Sequence, residues 1–345
     1  MHTKATLQET SPNDATCLRP QAGPDTLRRV ADWYPLLFAD NYRTALWGGD
    51  RIARTYGHKN APACCSESWE VSAHPSAPCY VANGAFAGRS LISLVAEFGA
   101  ELTGTDAPNP YRFPLLFKVI DARERLSLQV HPGMVSAVRT GGEPKSEMWY
   151  VLDATPCCTI FAGLRPGVTE EELRQHARDG NFSAVANPIP VLPGEIYSIP
   201  GGLVHSIGAG ALIYEVQQSS DTTYRLSDWG RVGADGKPRE LHLEKGLASI
   251  DYSLPVPQPL TSVENGFFSF HVHDLLPEET RSYPADARTF RVIFVAEGAV
   301  KLTWAKGELL LACGTSVLIP APLAVAVTSG IRASRLLVTQ LPHKA

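Results

Sequence analysis

The chain has 345 residues, 44% hydrophobic and 19% charged, with a formal net charge of −4 at pH 7. That length is enough to bury a full core and leaves room for two domains. The slightly acidic balance supplies no basic field of the kind that dominates nucleic-acid binding, and the longest apolar runs fall well short of a membrane span, which leaves a protein acting on a small molecule.

In chain order, the first 30 residues, MHTKATLQETSPNDATCLRPQAGPDTLRRV, lack the apolar core of a secretory signal. Their Ser, Thr, Pro and charge content predicts a disordered extension and no export. GRSLISLVAEFGAEL, residues 88–102, reads as a helix, and so does TEEELRQHARDG, where Thr169 followed by Glu172 makes a capping box. Past residue 110 short apolar runs punctuated by Gly and Pro dominate: LLFKVI, RLSLQV, EMWYVL, CTIFAGL, EIYSIP and ALIYEV, then RVIFVAEG, VKLTW, ELLLA and SVLIP. Many short strands at close spacing predict a sandwich or barrel, so the expected fold is mainly β with helical insertions. Seven cysteines (Cys17, Cys64, Cys65, Cys79, Cys157, Cys158, Cys313) form an odd set with two adjacent pairs and no C-x-x-C. They suit neither a disulfide framework nor a cysteine zinc site, and predict reduced thiols in a cytoplasm.

One punctuation pattern occurs twice. Gly194, five residues, Pro200, one residue, Gly202, two residues, His205 is matched by Gly314, five residues, Pro320, one residue, Pro322, two residues, Ala324. Upstream, EMWYVLDA (147–154) aligns with RVIFVAEG (291–298), which sets Glu147 opposite Arg291. Self-similarity with one stripped copy implies two related β-barrels, only the first holding a site. The HVH at 271–273 lacks a matching Glu or distal His in its copy and reads as surface strand histidines.

In LSLQVHP, residues 126–132, strand alternation puts Gln129 and His131 on one face and Leu128 and Val130 on the other. Burying Glu147 beside them is costly unless a cation compensates. With His205 the set offers two imidazoles, one carboxylate and one amide oxygen around an open position, a donor set suited to a divalent metal. Two histidines and a glutamate also suit a non-haem iron oxygenase, although Gln129 as a fourth ligand leaves too few open positions for oxygen chemistry. A non-catalytic ligand-binding module is the other alternative.

The motif Gly-x5-Pro-x-Gly-x2-His resembles the second motif of cupins, without the asparagine often found four residues on, where Ala209 stands. QVHP, KSEMWYVLDA and YEVQQSSDTTYRLSDWGR, with YPLLF, ALWGGDRIA, ESWEVSAHP, NGAFAGRSL and FPLLFKVIDA upstream, resemble type I phosphomannose isomerases, in particular their short bacterial form. The likeness is strong to about residue 250 and a strand pattern beyond. It implies two cupin-like β-barrels of jelly-roll type, and interconversion of mannose 6-phosphate and fructose 6-phosphate through a cis-enediolate with one bound Zn²⁺ per chain.

Carried over by position, the metal ligands are Gln129, His131, Glu147 and His205, with Arg225 and Lys145 as active-site residues. Two departures are the N-terminal extension and Ser146 between the lysine and the glutamate. The implied division is an extension at 1–30, a catalytic domain at 31–255 and a degenerate second barrel without ligands at 256–345. Arg225 would add a cation that stays charged at working pH and binds two oxygens at once. The base is left open among a second carboxylate, a histidine and a metal-bound hydroxide; Glu215 and Asp221 are candidates because strand alternation would aim Glu215, Gln217 and Asp221 into the cavity, and either would equally serve as a structural partner of Arg225. The phosphate contacts are left among Lys118, Lys145, Ser72, Ser127 and Arg231. The expected partner is a small sugar phosphate, with no nucleic acid or membrane, and the oligomeric state stays open between monomer and weak dimer.

Overall fold

A computed structural model of the chain describes residues 31–179, 181–233 and 236–343; the predicted extension, residues 1–30, lies outside them. Eleven strands come first: β1 (Tyr42–Gly49), β2 (Cys65–Ser72), β3 (Leu115–Ala122), β4 (Leu128–Val130), β5 (Glu147–Ala154), β6 (Thr159–Leu164), β7 (Ala186–Pro190), β8 (Ile196–Ile199), β9 (His205–Ser206), β10 (Ala211–Gln218) and β11 (Tyr224–Ser227). They pair into two antiparallel sheets, β1-β2-β3-β10-β5-β8 and β11-β4-β9-β6-β7. Between them lies a core that includes Trp47, Ile120, Trp149, Ile160, Ile199 and Ile213. The period-two alternation of each strand decides what else points inward: Lys118 shares a face with Ile120, Glu147 with Trp149, and Glu215 with Ile213.

The remaining strands are β12 (Ser262–Glu264), β13 (Ser269–Leu275), β14 (Thr280–Tyr283), β15 (Arg291–Glu297), β16 (Ala299–Trp304), β17 (Gly307–Ala312), β18 (Ser316–Ile319), β19 (Val325–Ser329) and β20 (Ser334–Gln340). Their sheets run β12-β13-β20-β15-β18 and β14-β19-β16-β17. The order β13-β20-β15-β18 repeats β3-β10-β5-β8, and β14-β19-β16-β17 repeats β4-β9-β6-β7. Register repeats as well: Glu147 pairs with Ile199 and Arg291 with Ile319, each five residues past the matching glycine. The outer faces of the two large sheets meet through aromatic contacts, with Tyr214 stacked on Phe294 at 4.6 Å and Tyr150 tilted against Phe270 at 6.2 Å.

Helices fill the connections: α1 (Arg51–Tyr56), α2 (Leu91–Phe98), α3 (Ala100–Thr103), α4 (Met134–Thr140), α5 (Glu170–Asp179) and α6 (Leu243–Leu247). The helix predicted over 88–102 is two. Ser90 caps α2 by accepting from the Ser93 N–H, and Gly99, at φ 53 and ψ −126, turns the chain out of helical conformation before α3 resumes. The capping box on α5 is formed, with Glu172 N–H donating to Thr169 Oγ1 at 3.2 Å and Thr169 N–H to Glu172 Oε2 at 2.8 Å. No helix among the described residues is long and apolar enough to cross a membrane.

Candidate metal centre

The short strand β4 is the hinge of the site. Leu128 and Val130 point outward into an apolar cluster with Leu173, Phe182 and Leu226, which seats α5 and β11 against the sheet. Gln129 and His131 are left facing the interior. Gln129 pairs with Arg225 on β11 and with His205 on β9, so three of the predicted site residues stand near one another on neighbouring strands.

His205 is placed by the turn before it. Gly202, at φ 100, donates its N–H to the His131 carbonyl at 2.7 Å. A side chain on Gly201 would run into Gly133 Cα at 2.7 Å and the Pro132 carbonyl at 2.8 Å. The two glycines let this turn close against the backbone after His131, which sets His205 across from Gln129.

Ligand atoms of His131, Glu147 and His205 lie within 4.8 Å of one another, and all three residues are buried. His131 Nδ1 donates to the Thr222 carbonyl at 2.9 Å and His205 Nδ1 to the Leu203 carbonyl at 2.8 Å. Those bonds fix the tautomer of each ring and leave both Nε2 lone pairs turned inward, as metal-binding histidines require. Glu147 Oε1 is 3.5 Å from His205 Nε2 and Oε2 is 3.4 Å from His131 Nε2. Glu147 Oε2 has no hydrogen-bond partner, its nearest cation being Lys145 Nζ at 3.0 Å. Lys145 Nζ also stands 3.0 Å from His131 Nε2. The Gln129 amide nitrogen faces His205 Nε2 at 3.3 Å, and its oxygen accepts from Ser127 Oγ at 3.0 Å. A half-turn of that amide exchanges the two ends, and a hydroxyl that both donates and accepts satisfies either orientation.

The electrostatics of the cluster follow from its burial. Burial pushes His131 down to about 3, with the Lys145 ammonium adding to the effect against Glu147. His205 is lowered for the same first reason, burial, which outweighs the attraction of Glu147. For Glu147 burial acts upward, but Lys145, His131 and His205 outweigh it and hold the carboxyl well below its usual range. The result is two neutral imidazoles around one carboxylate, the protonation states in which these groups bind a cation.

One cavity opens beside these residues, lined among others by Gln129, Lys145, Glu215, Asp221, Arg225 and Arg239. Glu215 is 3% exposed; Trp149 Nε1 donates to its Oε2 at 3.0 Å, while Oε1 has no hydrogen bond and lies 3.4 Å from Lys118 Nζ. Burial first, and then Glu147, push the Glu215 carboxyl up against the pull of Lys118. Asp221 is exposed at the cavity rim. Arg225 donates Nη1 to the Glu240 carbonyl at 2.8 Å and has a buried Nε without a partner. Burial and the neighbouring Arg239 lower its pKa.

Residues 36–151 match the family described as phosphomannose isomerase type I, catalytic domain. Over 222 residues the chain is 37% identical to the mannose-6-phosphate isomerase of Streptococcus mutans, covering 64% of this chain and 69% of that protein. Against the Bacillus subtilis mannose-6-phosphate isomerase ManA, identity is 38% over 219 residues, 63% of this chain and 68% of that one. This chain belongs to the type I phosphomannose isomerase family. A crystal structure of the mannose 6-phosphate isomerase from B. subtilis superposes with a TM-score of 0.79 at 28% identity, covering 88% of this chain and 99% of that one. The fold is accordingly that of the cupin-type phosphomannose isomerases.

Within this phosphomannose isomerase frame, some residues named from the sequence reach the cavity and others do not. Lys118, Lys145 and Ser127 line it. Ser72 instead accepts from the His74 N–H at 3.1 Å, and Arg231 is held by Asp228 at 2.6 Å and by the Arg125 carbonyl at 2.5 Å. Gln217, expected to follow Glu215 into the cavity, spends its amide on the carbonyls of Gln218 and Ser220 and ties down the end of β10. Arg239 also lines the cavity although no periodicity in its neighbourhood marks it; a bridge between Val232 and Pro238 folds it back onto Asp228.

Proposed function

We propose that this chain is a zinc-dependent aldose–ketose isomerase interconverting mannose 6-phosphate and fructose 6-phosphate. The observation that carries the reading is one cavity bordered by a buried metal-donor set, a buried carboxylate with a free oxygen, and two arginines. The donor set fits Zn²⁺: two neutral imidazole nitrogens, a carboxylate oxygen left without a hydrogen bond, and an amide that can turn its oxygen inward, around an open side. The ligands are Gln129, His131, Glu147 and His205. When bound, zinc orients the sugar oxygens at C1 and C2 and offsets the negative charge that builds on them.

The chain's own residues divide the rest of the work. The reaction moves a proton between C1 and C2, so it needs a base that is unprotonated yet basic near neutral pH. Burial and the neighbouring Glu147 raise the basicity of Glu215 in that direction, with Oε1 lacking a hydrogen bond and Oε2 anchored by Trp149. Lys118 stands beside it and limits how far burial can raise it. Lys145, its charge matched by Glu147, donates toward a sugar oxygen once the His131 lone pair is taken by the cation. The phosphate lies at the arginine end, where Arg225 Nε lacks a partner and Arg239 adds a second guanidinium.

We place this chemistry in residues 31–255 and read residues 256–345 as a second barrel without a site. At the position of Glu147 that barrel carries Arg291, fully engaged with Pro284 O, Asp286 and Gln340. Free thiols at the six described cysteines fit an enzyme of the cytoplasm.

The test is turnover of mannose 6-phosphate against unphosphorylated mannose, by the parent and by Arg225→Ala. We expect fructose 6-phosphate from the phosphorylated sugar and little turnover of free mannose. Arg225→Ala should keep its zinc and lose about 10- to 100-fold in kcat/KM, the size of lost charged hydrogen bonds. A near-normal value would remove Arg225 from the site.

A further inference from the structure

The arginine end of the cavity rests on a strained turn that the roles above leave unused. In SDWGR, residues 227–231, Trp229 stands at φ 58 and Gly230 at φ 73. A left-handed backbone suits glycine and strains a bulky side chain, so tertiary contacts must hold Trp229 there. Its N–H donates to Ser227 Oγ at 3.1 Å and its Nε1 to the Leu126 carbonyl at 2.6 Å. The Arg125 guanidinium lies 3.9 Å over the ring, and the Phe161 ring packs at 5.9 Å. The turn then closes, with Arg231 N–H donating to the Asp228 carbonyl at 3.1 Å. Strain held in place by its surroundings points to a function for whatever the turn sets.

What it sets is Asp228, a carboxylate only 6% exposed. Arg231 donates Nη2 to its Oδ1 at 2.6 Å and Nη1 to the Arg125 carbonyl at 2.5 Å, which ties that guanidinium to the turn. Arg239 donates Nε to Asp228 Oδ2 at 2.8 Å and Nη2 to Oδ1. This side-on pair uses one edge of the planar fork, and Nη1 has no partner among the described residues. Arg239 and Arg225 both line the cavity. Arg225 has Nη1 on the Glu240 carbonyl, a buried Nε without a partner, and no ion pair among the described residues. Burial acts upward on the Asp228 carboxyl, but Arg239 and Arg231 outweigh it and hold it below its usual range.

A carboxylate beside an anion site weakens the attraction, so its presence calls for a compensating role. The Arg239 side chain is 34% exposed on a stretch without helix or strand, and a loose arginine loses side-chain freedom when it closes on a ligand. Held by two bonds, the guanidinium meets a phosphate already oriented. Arg225, Arg231 and Arg239 together still leave positive charge in excess of Asp228, so an anion is attracted all the same. We propose that Asp228 is the positioning residue of the phosphate end, gripping one edge of Arg239 and presenting the other, beside Arg225, to the sugar phosphate. The inference rests on the isomerase reading, which brings a phosphomonoester into this cavity. Asp228 acts through Arg239 and does not touch the sugar.

The test measures KM for mannose 6-phosphate and competitive inhibition by inorganic phosphate in the parent, Asp228→Asn, Arg239→Lys, Arg239→Ala and the double variant Asp228→Asn/Arg239→Ala. The sign is diagnostic. By charge alone, removing a carboxylate beside an anion site tightens phosphate binding, whereas losing the grip on Arg239 weakens it. Asp228→Asn should raise both KM and the inhibition constant about tenfold, the low end for a hydrogen bond between charged groups, with zinc content at the parent level. Arg239→Lys keeps the charge but not the fork, and should weaken binding nearly as much as Arg239→Ala. The double variant should be no weaker than Arg239→Ala, because Asp228 has nothing left to aim. The partly exposed Arg239 positions decide the matter even where loss of the buried Asp228 unfolds the chain. An active Asp228→Asn enzyme that binds phosphate as well as the parent or better, or an Arg239→Lys enzyme with the parent's KM, overturns the positioning role alone. A parent protein that forms no fructose 6-phosphate overturns the isomerase reading and this inference with it.

Discussion

His205→Ala loses bound zinc and turnover together. In the proposed ligand set the side chain it removes is a direct ligand, so the loss of metal affinity should exceed the roughly 100-fold that removal of an outer partner costs at such sites. His205 is fully buried, with Nδ1 tied to the Leu203 carbonyl and Nε2 facing Glu147. Alanine therefore deletes one of the two imidazole donors and leaves the Leu203 carbonyl without its partner. Zinc content by elemental analysis after desalting, read beside the initial rate, checks the claim. Stoichiometric zinc in a folded His205→Ala protein would remove His205 from the ligand set.

Glu215→Gln separates the proposed base from the metal. Glutamine keeps the length of the side chain, and its oxygen can still accept from Trp149 Nε1, but the amide cannot take a proton from carbon. Zinc content should stay at the parent level while kcat falls by about 10² to 10⁴-fold, the range for a lost general base. Asp221→Asn, altering an exposed group at the rim, should cost less. If the order of the two losses is reversed, the carbon base is Asp221 and Glu215 serves as the buried counter-charge of Lys118, which it faces at 3.4 Å.

Much of this site was legible where one-dimensional rules apply. Alternation in LSLQVHP sorted Leu128 and Val130 from Gln129 and His131, and the fold packs the first pair against α5 and β11 and turns the second pair inward. The duplicated glycine and proline spacing corresponds to a duplicated register, Glu147 with Ile199 and Arg291 with Ile319. Features built from distant or irregular segments were hidden. Helices α1, α4 and α6 are five to seven residues long, too short for a periodic signal. His205 sits in a two-residue strand that only the fold of the turn before it defines. The Lys118–Glu215 pair and the return of Arg239 arise from tertiary contacts across β3, β10 and loops, and no spacing in the chain announces them. The amide of Gln217 shows the converse: alternation aimed it at the cavity, but carbonyls at the end of β10 offered it nearer partners.

The most direct test of the account is a zinc titration of the chelated protein with mannose 6-phosphate as substrate. Fructose 6-phosphate formation should vanish on chelation and return in proportion to added zinc, levelling off at one ion per chain. A protein that turns over at its full rate after its metal has been removed would contradict a metal centre at His131, Glu147 and His205 as the seat of the reaction.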